Sequence, residues 1–286
     1  MRQNTGLPSA LSLRETAISH PVAKSIHLTS MPASKVDAPV QDAKSGPMDS
    51  ARTEFDSTLL DNPIWNSLLT DHASLALGTG PARRYPAEIG PLSGTQDQSI
   101  ASYEALRQLA GPGGVVGLFL RQPRAMPAGW TLIRGGLVDQ MIWATSNNSD
   151  LIQRSPDAPL RALTIRDVPQ MVALAELTEP GPFRTRTIEL GNFYGIFQED
   201  RLLAMAGQRM RVPGFIEVSA VCTHPDARGR GYARVLMSQV MRDIQVSGRT
   251  PFLHVLADNN SAIRLYQSLG FTRSRTFHLA VLKNDR

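Results

Sequence analysis

Apolar side chains recur at helical and strand spacing from about residue 61 onward. Asp61 is positioned to cap a helix that carries Pro63 in its first turn, and Ser99 to cap a second helix. Residues 115–120 and 130–133 are predicted to be buried strands between turns. The apolar faces of the two helices comprise Ile64, Trp65, Leu68 and Leu69, and Ile100, Tyr103, Leu106 and Leu109.

Beyond residue 159 the pattern changes to closely spaced strands and helices. Asp167 is positioned to cap the first of these helices, and Pro213-Gly214 reverses the chain between two strands. The predicted order is a strand at 160–165, a helix from Asp167, strands at 192–197, 201–210 and 215–223, a helix at 231–244, a strand at 252–256, a helix at 261–269 and a final pair of strands. The different rhythm of the two halves predicts two lobes.

Composition divides the chain further. Residues 1–50 are rich in Ser, Thr, Pro, Ala and Gln with no sustained hydrophobic period, and we expect a disordered arm. A transit peptide and a later start at Met31 or Met48 are alternatives for this arm. Residues 56–145 are predicted to form an N-terminal α/β lobe, and the polar residues 146–158 a linker to a second domain at 159–286.

The overall composition is that of a soluble globular chain: 42% of the 286 residues are hydrophobic and 19% are charged. No run approaches the ~18 to 20 apolar residues of a membrane-spanning helix, so we expect no membrane partner and a cytoplasmic location. Cys222 is the single cysteine, which excludes an intrachain disulfide and a multi-thiolate zinc site, and no metal site is predicted. The formal net charge of +5 favours anionic partners without choosing among them.

A loop rich in arginine and glycine connects a predicted strand to a predicted helix. Its residues are Arg228-Gly229-Arg230-Gly231, followed by Tyr232, Ala233 and Arg234. Free backbone N–H groups and the helix dipole form an anion site at such a helix start, and glycines let a pyrophosphate approach closely. The alternatives are a basic surface turn or a patch that contacts nucleic acid through phosphates. The loop lacks the Lys-Ser/Thr ending of a P-loop.

A second motif lies further along, from Asn259 to Phe271. With both motifs, residues from about 159 to 286 resemble the GNAT superfamily of acyl-CoA-dependent N-acyltransferases. The first segment is similar to the family's Gln/Arg-x-x-Gly-x-Gly/Ala motif through Arg228, Gly231 and Ala233. The second is similar to the Asn-x-x-Ala…Leu-Tyr-x-x-x-Gly-Phe signature through Asn259, Ala262, Leu265, Tyr266, Gly270 and Phe271. The run Ser-Ala-Val-Cys-Thr-His-Pro and the Pro-Gly-Pro-Phe turn further resemble the C-terminal half of glycine N-acyltransferases, and residues 56–145 resemble a degenerate half.

The resemblance implies an α/β (α+β) fold, a mixed twisted sheet flanked by helices, with 159–286 as the catalytic domain and acetyl-CoA as co-substrate. It implies that the strand ending at Thr223 splays from the strand ending at Leu256, with the pantetheine arm between them. The residues implied to bind acetyl-CoA are Val221, Cys222, Thr223, Arg228, Gly229, Arg230, Gly231, Tyr232, Ala233, Arg234 and Asn259. Asn259 would bond the pantetheine or fix its loop.

Acyl transfer needs a neutral amine, donors for the developing oxyanion and a proton for the departing thiolate. Tyr266 is the predicted proton donor, the alternative being a packing tyrosine. Glu217 precedes Val221 by four residues, so strand alternation predicts both on one face. Glu217 is a candidate general base, with a solvated sheet charge as the alternative. Val221 or Cys222 N–H is the predicted oxyanion donor, and the Cys222 thiol is expected to be a core group.

The acceptor is the least specified part of this prediction. Residues 179–183 are the expected wall of its pocket, and a small-molecule or peptide amine is expected. The leading hypothesis is an N-acetyltransferase. A non-catalytic acyl-CoA-binding regulatory module and a nucleic-acid-binding protein are the alternatives, although no nucleic-acid partner is expected. A homodimer is compatible with the sequence.

Overall fold

The computed structural model describes residues 56–144 and 159–285. The predicted arm at 1–50 and linker at 146–158 lie outside the described residues. The first described stretch forms α1 (Pro63–Leu69), β1 (Ala82–Arg84), β2 (Ser93–Thr95), α2 (Ile100–Ala110), β3 (Val115–Leu120) and β4 (Trp130–Trp143). The second forms β5 (Leu160–Ala162), α3 (Val168–Thr178), β6 (Phe193–Gln198), β7 (Arg201–Val212), β8 (Phe215–Thr223), α4 (Tyr232–Val246), β9 (Thr250–Leu256), α5 (Asn260–Ser268) and β10 (Phe271–Asn284).

Within the described residues, a side chain caps the start of α2 and of α5, whereas α1, α3 and α4 have no side-chain cap, so Asp167 does not form the cap predicted for α3. The Ser99 hydroxyl accepts a hydrogen bond from Ser102 N over 3.2 Å at the start of α2, as predicted. The predicted cap of α1 is wrong by one residue, because Asn62 precedes the helix. Asp61 instead pairs with Arg121 over 2.8 Å and with Arg275.

Eight strands form one mixed sheet in the order β3-β10-β4-β9-β8-β7-β6-β5. The β8–β9 pair is parallel, and the other neighbouring pairs of this sheet are antiparallel. β1 and β2 form a separate two-stranded antiparallel sheet.

β4 comes from the first half of the chain but lies between two strands of the second half. It pairs with β10 from Trp130↔Asn284 to Trp143↔Phe271, and with β9 from Val138↔Leu256 to Ile142↔Phe252. The predicted final strand pair is therefore wrong, because residues 271–284 form one long strand whose neighbours are β3 and β4. Residues 56–144 and 159–285 share one sheet, whatever boundary is drawn between them.

The two faces of the sheet are covered by different helices. On one face, α4 and α5 bury an apolar cluster that includes Leu236, Val240, Tyr266 and Leu269. On the other face, α3 and α1 cover two separate clusters, one around Met171 and one around Ile64 and Phe252. Of the apolar face predicted for α1, Ile64, Trp65 and Leu68 are buried, whereas Leu69 is 43% exposed.

Candidate active site

β8 and β9 separate part-way along their length. They pair at Phe215↔Thr250, Ile216↔Pro251 and Glu217↔Phe252, after which β8 continues to Thr223 and β9 to Leu256 without pairing to each other. The splay that the resemblance implies is therefore present. Beyond Glu217, the edge of β8 that faces β9 has no strand partner, so its backbone groups are available to an extended ligand.

A bulge at Ala220 changes the faces of β8 at the gap. The register with β7 shifts between Gly207↔Ser219 and Met205↔Cys222, and Ala220 has a left-handed φ of 52°. Before the bulge Ile216 packs in the α4/α5 cluster; after it Val221 packs there, whereas Ala220 and Cys222 pack against α3. The expectation that Glu217 and Val221 share a face is wrong, because one inserted residue inverts the alternation.

The loop before α4 opens onto the end of the gap. Gly229 and Gly231 both have a φ of 78°, and a Cβ placed on either would meet no atom within 4 Å. Gly231 is the N-cap of α4 and supplies no side-chain cap, so the first N–H groups of the helix lack an intrahelical acceptor. Tyr232 is buried and Ala233 half-buried, so both contribute here through the backbone.

Three arginines surround this helix start. Arg228 Nε donates to the carbonyl of Thr223 over 3.5 Å, and Arg230 Nη2 to the carbonyl of Asp226 over 3.2 Å. Arg234 Nη2 donates to the Ser268 hydroxyl over 2.6 Å. The sequence places three positive charges around backbone donors, an arrangement that favours a polyanion.

Asn259 caps α5. Its Oδ1 accepts from Ala262 N over 3.1 Å, which holds the loop that follows β9. Of the two roles implied for Asn259, the structure shows the one that fixes the loop. The Nδ2 group forms no hydrogen bond within the described part of the chain and is available to a ligand.

Tyr266 lies on α5, in the cluster that packs α4 and α5 on the sheet. It is 8% exposed and its ring meets Phe271 edge-on at 6.3 Å. Burial, with a smaller contribution from Cys222, raises the pKa of Tyr266 to about 12. Its hydroxyl forms no hydrogen bond among the residues that the structure describes. It is therefore a protonated phenol with an unused donor.

The thiol of Cys222 faces the opposite side of the sheet, against α3. Burial raises its pKa to about 11, and hydrogen bonds involving Thr178 and Met205 partly offset that effect. A thiol with this pKa stays protonated at neutral pH, as expected of a core group rather than a nucleophile.

Glu217 is buried at the apex of the gap, where the β8–β9 pairing ends. Its Oε1 accepts from Arg209 Nη2 over 2.6 Å and from His254 Nδ1 over 2.7 Å. Its Oε2 accepts from Arg209 Nε over 2.7 Å and from Met210 N over 3.3 Å. The side chain is 0% exposed, so the alternative of a solvated sheet charge is wrong.

These contacts set the protonation states of Glu217, Arg209 and His254. Burial alone would raise the pKa of Glu217, but Arg209 and His254 outweigh it and hold the pKa at about 2. The same carboxylate outweighs the desolvation of Arg209 and raises its pKa. Burial lowers the pKa of His254 despite Glu217, which favours a neutral ring. With Nδ1 donating to Glu217, the Nε2 atom accepts from the Gln140 amide at 3.1 Å.

The comparisons with known proteins bear on this arrangement. A family model described as FR47-like protein matches residues 193–278, from β6 into β10. A solved structure from Novosphingobium aromaticivorans DSM 12444, assigned to the GNAT family of acetyltransferases, is 38% identical, with a TM-score of 0.71. The match covers 79% of this chain and 99% of that chain. This chain belongs to the GNAT family of acetyltransferases.

Two further proteins are similar to this chain, one in fold and one in sequence. The structure of a GCN5-related N-acetyltransferase from Kribbella flavida, 13% identical, has a TM-score of 0.54 over 78% of this chain and 94% of that one, which shows the same fold. Uncharacterized protein ML0378 of Mycobacterium leprae (strain TN) is 28% identical over 200 residues, 66% of this chain. The present chain spans 46% of that relative's length. The predicted GNAT fold is confirmed, and the glycine N-acyltransferase branch stays a prediction.

Most of the predicted residues of this GNAT chain lie on β8, on the loop that follows it or at the start of α4, and Asn259 and Tyr266 lie at and on α5. Two polar residues next to Glu217, Arg209 and His254, were not predicted. A two-residue Pro213-Gly214 turn places Met210 opposite Glu217, and Arg209 reaches Glu217 because the β7–β8 register shifts between Gln208↔Val218 and Arg211↔Ile216. The contact between His254 and Glu217 could be predicted only from the parallel β8–β9 register. In the described ranges, no helix is long and apolar enough to cross a membrane, and no cluster of His, Cys, Asp and Glu is arranged to hold a metal.

Proposed function

We propose that this GNAT chain transfers an acetyl group from acetyl-CoA to a primary amine by direct attack on the thioester. The observation that carries the proposal is the gap between β8 and β9, with open backbone donors at the start of α4 and Tyr266 in the apolar cluster against which Val221 packs. Family membership supports an acetyltransferase, and the gap supports this donor.

The residues present fit acetyl-CoA. The unpaired edge of β8 around Val221 and Thr223 suits the amide groups of a pantetheine arm, which bind as an added strand would. The backbone from Gly229 to Arg234 suits the pyrophosphate, because a Cβ is absent at both glycines and nothing else fills that space. Asn259 Nδ2 is the remaining donor at the gap.

A few groups of this chain would carry out the acyl transfer. The N–H of Val221 or Cys222 stabilises negative charge on the carbonyl oxygen as the amine attacks. Tyr266 donates its phenolic proton to the departing sulfur, since a pKa of about 12 keeps the phenol protonated at every physiological pH, and the proton lost by the attacking nitrogen then restores the phenol, directly or through water. The donor bound in the gap supplies an activated acyl group, and the protein positions it.

Glu217 is a poor general base in this geometry. A carboxylate has roughly four acceptor directions, and Glu217 uses them on Arg209, His254 and Met210 N. Its pKa of about 2 gives little driving force for taking a proton from an ammonium group. We therefore propose that Glu217 holds the apex of the gap together and that the acceptor is already neutral when it attacks.

Two measurements test the proposal. Calorimetry with CoA should show binding at tens of micromolar or tighter, and no binding would remove the acyl-CoA assignment altogether. Release of free thiol from acetyl-CoA over a panel of amines should then show turnover with at least one acceptor. CoA binding without turnover on any amine would instead favour a non-catalytic acyl-CoA-binding module.

A further inference from the structure

Arg209 has one nitrogen that its contact with Glu217 does not use. Nε and Nη2 donate to the two carboxylate oxygens over 2.7 and 2.6 Å. Nη1 forms no hydrogen bond within the described residues, and 11% of the side chain stays exposed. Because Nη1 is absent from the fully buried atoms without partners, it reaches solvent. The guanidinium is thus clamped on one side and open on the other.

The open side of Arg209 faces the segment that joins α3 to the rest of the domain. A Cβ placed on Gly181 would lie 4.0 Å from Nη1, so Gly181 is a neighbour of the guanidinium and has no side chain to cover it. Gly181 belongs to residues 179–183, the predicted wall of the acceptor pocket. The exposed charged residues between 179 and 189 are Glu179, Arg184, Arg186 and Glu189, of which Arg186 and Glu189 pair with each other.

The Arg209–Glu217 pair also has a defined position relative to the gap between β8 and β9. Glu217 is the last residue of β8 that pairs with β9, and its side chain lies on the face of the sheet opposite α4. The start of α4, where we place the CoA phosphates, and the Arg209 guanidinium are therefore on opposite faces of the splayed strands. A second substrate entering from the α3 face meets Arg209 beside the point where the strands part.

We infer that Arg209 is a specificity-determining residue that binds a carboxylate on the amine acceptor, an inference that rests on the proposed function. A guanidinium held by two hydrogen bonds keeps its plane fixed, so little entropy is lost when its remaining N–H groups bind a second carboxylate. Arg209 and Glu217 together have no net charge, but the positive end of the pair points to residues 179–183. The acceptor class is an amine that carries a carboxylate, such as a free amino acid.

The test compares amines that differ only in the carboxylate. Glycine against glycinamide, and phenylalanine against its amide, should be assayed by thiol release with saturating acetyl-CoA, with kcat/KM expressed per neutral amine. Loss of a hydrogen bond to a charged group lowers an equilibrium or rate constant by about tenfold or more. We therefore expect kcat/KM to be higher for each carboxylate than for its amide by at least that factor. Propionate should also inhibit the wild-type enzyme competitively with the amine, and propionamide should not.

A paired variant assigns the preference to Arg209. Removal of Arg209 alone would strand a buried carboxylate, so Arg209→Met is combined with Glu217→Gln. The double variant should bind CoA as the wild type does but lose the preference, mainly through a higher KM for the carboxylate member. Arg186→Met is the matched control, because Arg186 pairs with Glu189 at the surface, and it should keep the preference.

The outcomes separate the two proposals. Equal kcat/KM for both members of each pair, a preference that survives in the double variant, or no inhibition by propionate would overturn the role of Arg209 and leave the acetyltransferase proposal standing. Absence of both CoA binding and thiol release with all amines would overturn the proposed function, and the inference with it.

Discussion

The imidazole of His254 donates from Nδ1 to Oε1 of Glu217 over 2.7 Å, and this bond crosses from β9 to β8 just past their last backbone pair. Both side chains are at most 2% exposed. A side-chain contact thus continues the connection between the two strands on one face where the backbone ladder stops. Its position defines the closed end of the gap.

His254→Phe should destabilise the fold by about 1.5–3 kcal/mol, the range for a hydrogen bond to a buried charge. The ring volume is kept among Phe119, Phe252 and Phe277, so the loss reports the bond rather than the packing. Urea unfolding measures the difference. His278→Phe, at a half-buried position of β10, is the control and should stay within about 0.5 kcal/mol. Equal effects in the two variants would argue against a special role for the Glu217 contact.

Tyr266→Phe should lower kcat by about 10²–10⁴, because the departing sulfur loses its proton donor, while CoA affinity is retained. Steady-state kinetics and calorimetry measure the two quantities on the same preparation. Leu265→Met, the neighbouring position on α5, is the control for packing and should keep most of the activity. Full activity of the phenylalanine variant would assign Tyr266 to packing alone.

The pH dependence follows from the same groups. The rate should rise with pH until the acceptor amine is neutral, because only the neutral form attacks. Since the pKa of Tyr266 is raised to about 12, the acid stays protonated and no alkaline decline should appear below that value in a range where the protein is folded. A pH–rate profile of kcat with two amines of different pKa checks both statements. A decline in rate near pH 10 that is absent in Tyr266→Phe would contradict the raised pKa.

Gly231→Ala should weaken CoA binding by about tenfold or more, because a methyl group enters the space next to the helix N–H groups and the φ of 78° is strained for alanine. Gly248→Ala is a matched control at the other end of α4: its φ is 74°, and a Cβ there also meets nothing within 4 Å. Both variants introduce the same backbone strain, but only Gly231→Ala adds a methyl group at the proposed anion site. Calorimetry with CoA distinguishes them, and equal affinities would place the pyrophosphate elsewhere.

Residues 159–286 expressed alone should not fold, because β9 and β10 would each lose β4 as a neighbour. A full-length chain cut at an inserted protease site within 146–158 should instead stay associated and keep binding CoA, since many strand hydrogen bonds join the two pieces. Circular dichroism, gel filtration and calorimetry report on folding, association and binding. Cooperative unfolding of the isolated 159–286 piece would show that β4 is dispensable.

The sequence predicted the local parts of this site well. The glycine loop, the start of α4 and the Asn259 cap are set by a few adjacent residues, so their chemistry is visible in the order of residues alone.

Two features depend on distant parts of the chain and were not predictable in this way. The insertion of β4 between β9 and β10 is a long-range pairing, and the sequence of β4 carries no mark of its neighbours. The bulge at Ala220 is set by the mismatch between β7 and β8, because alanine itself does not favour a left-handed conformation. Because strict strand alternation takes no account of this bulge, it predicted Glu217 and Val221 on the same face, which is wrong.

The sheet order has a consequence for how the chain is made. β3 and β4 are close in sequence but are separated in the sheet by β10, which is synthesised well after both of them. The N-terminal half therefore cannot complete its part of the sheet during synthesis, and β3 and β4 wait with open edges until residues 271–284 are released. Closure of the sheet is therefore a late event, in which residues 271–284 insert between strands made much earlier.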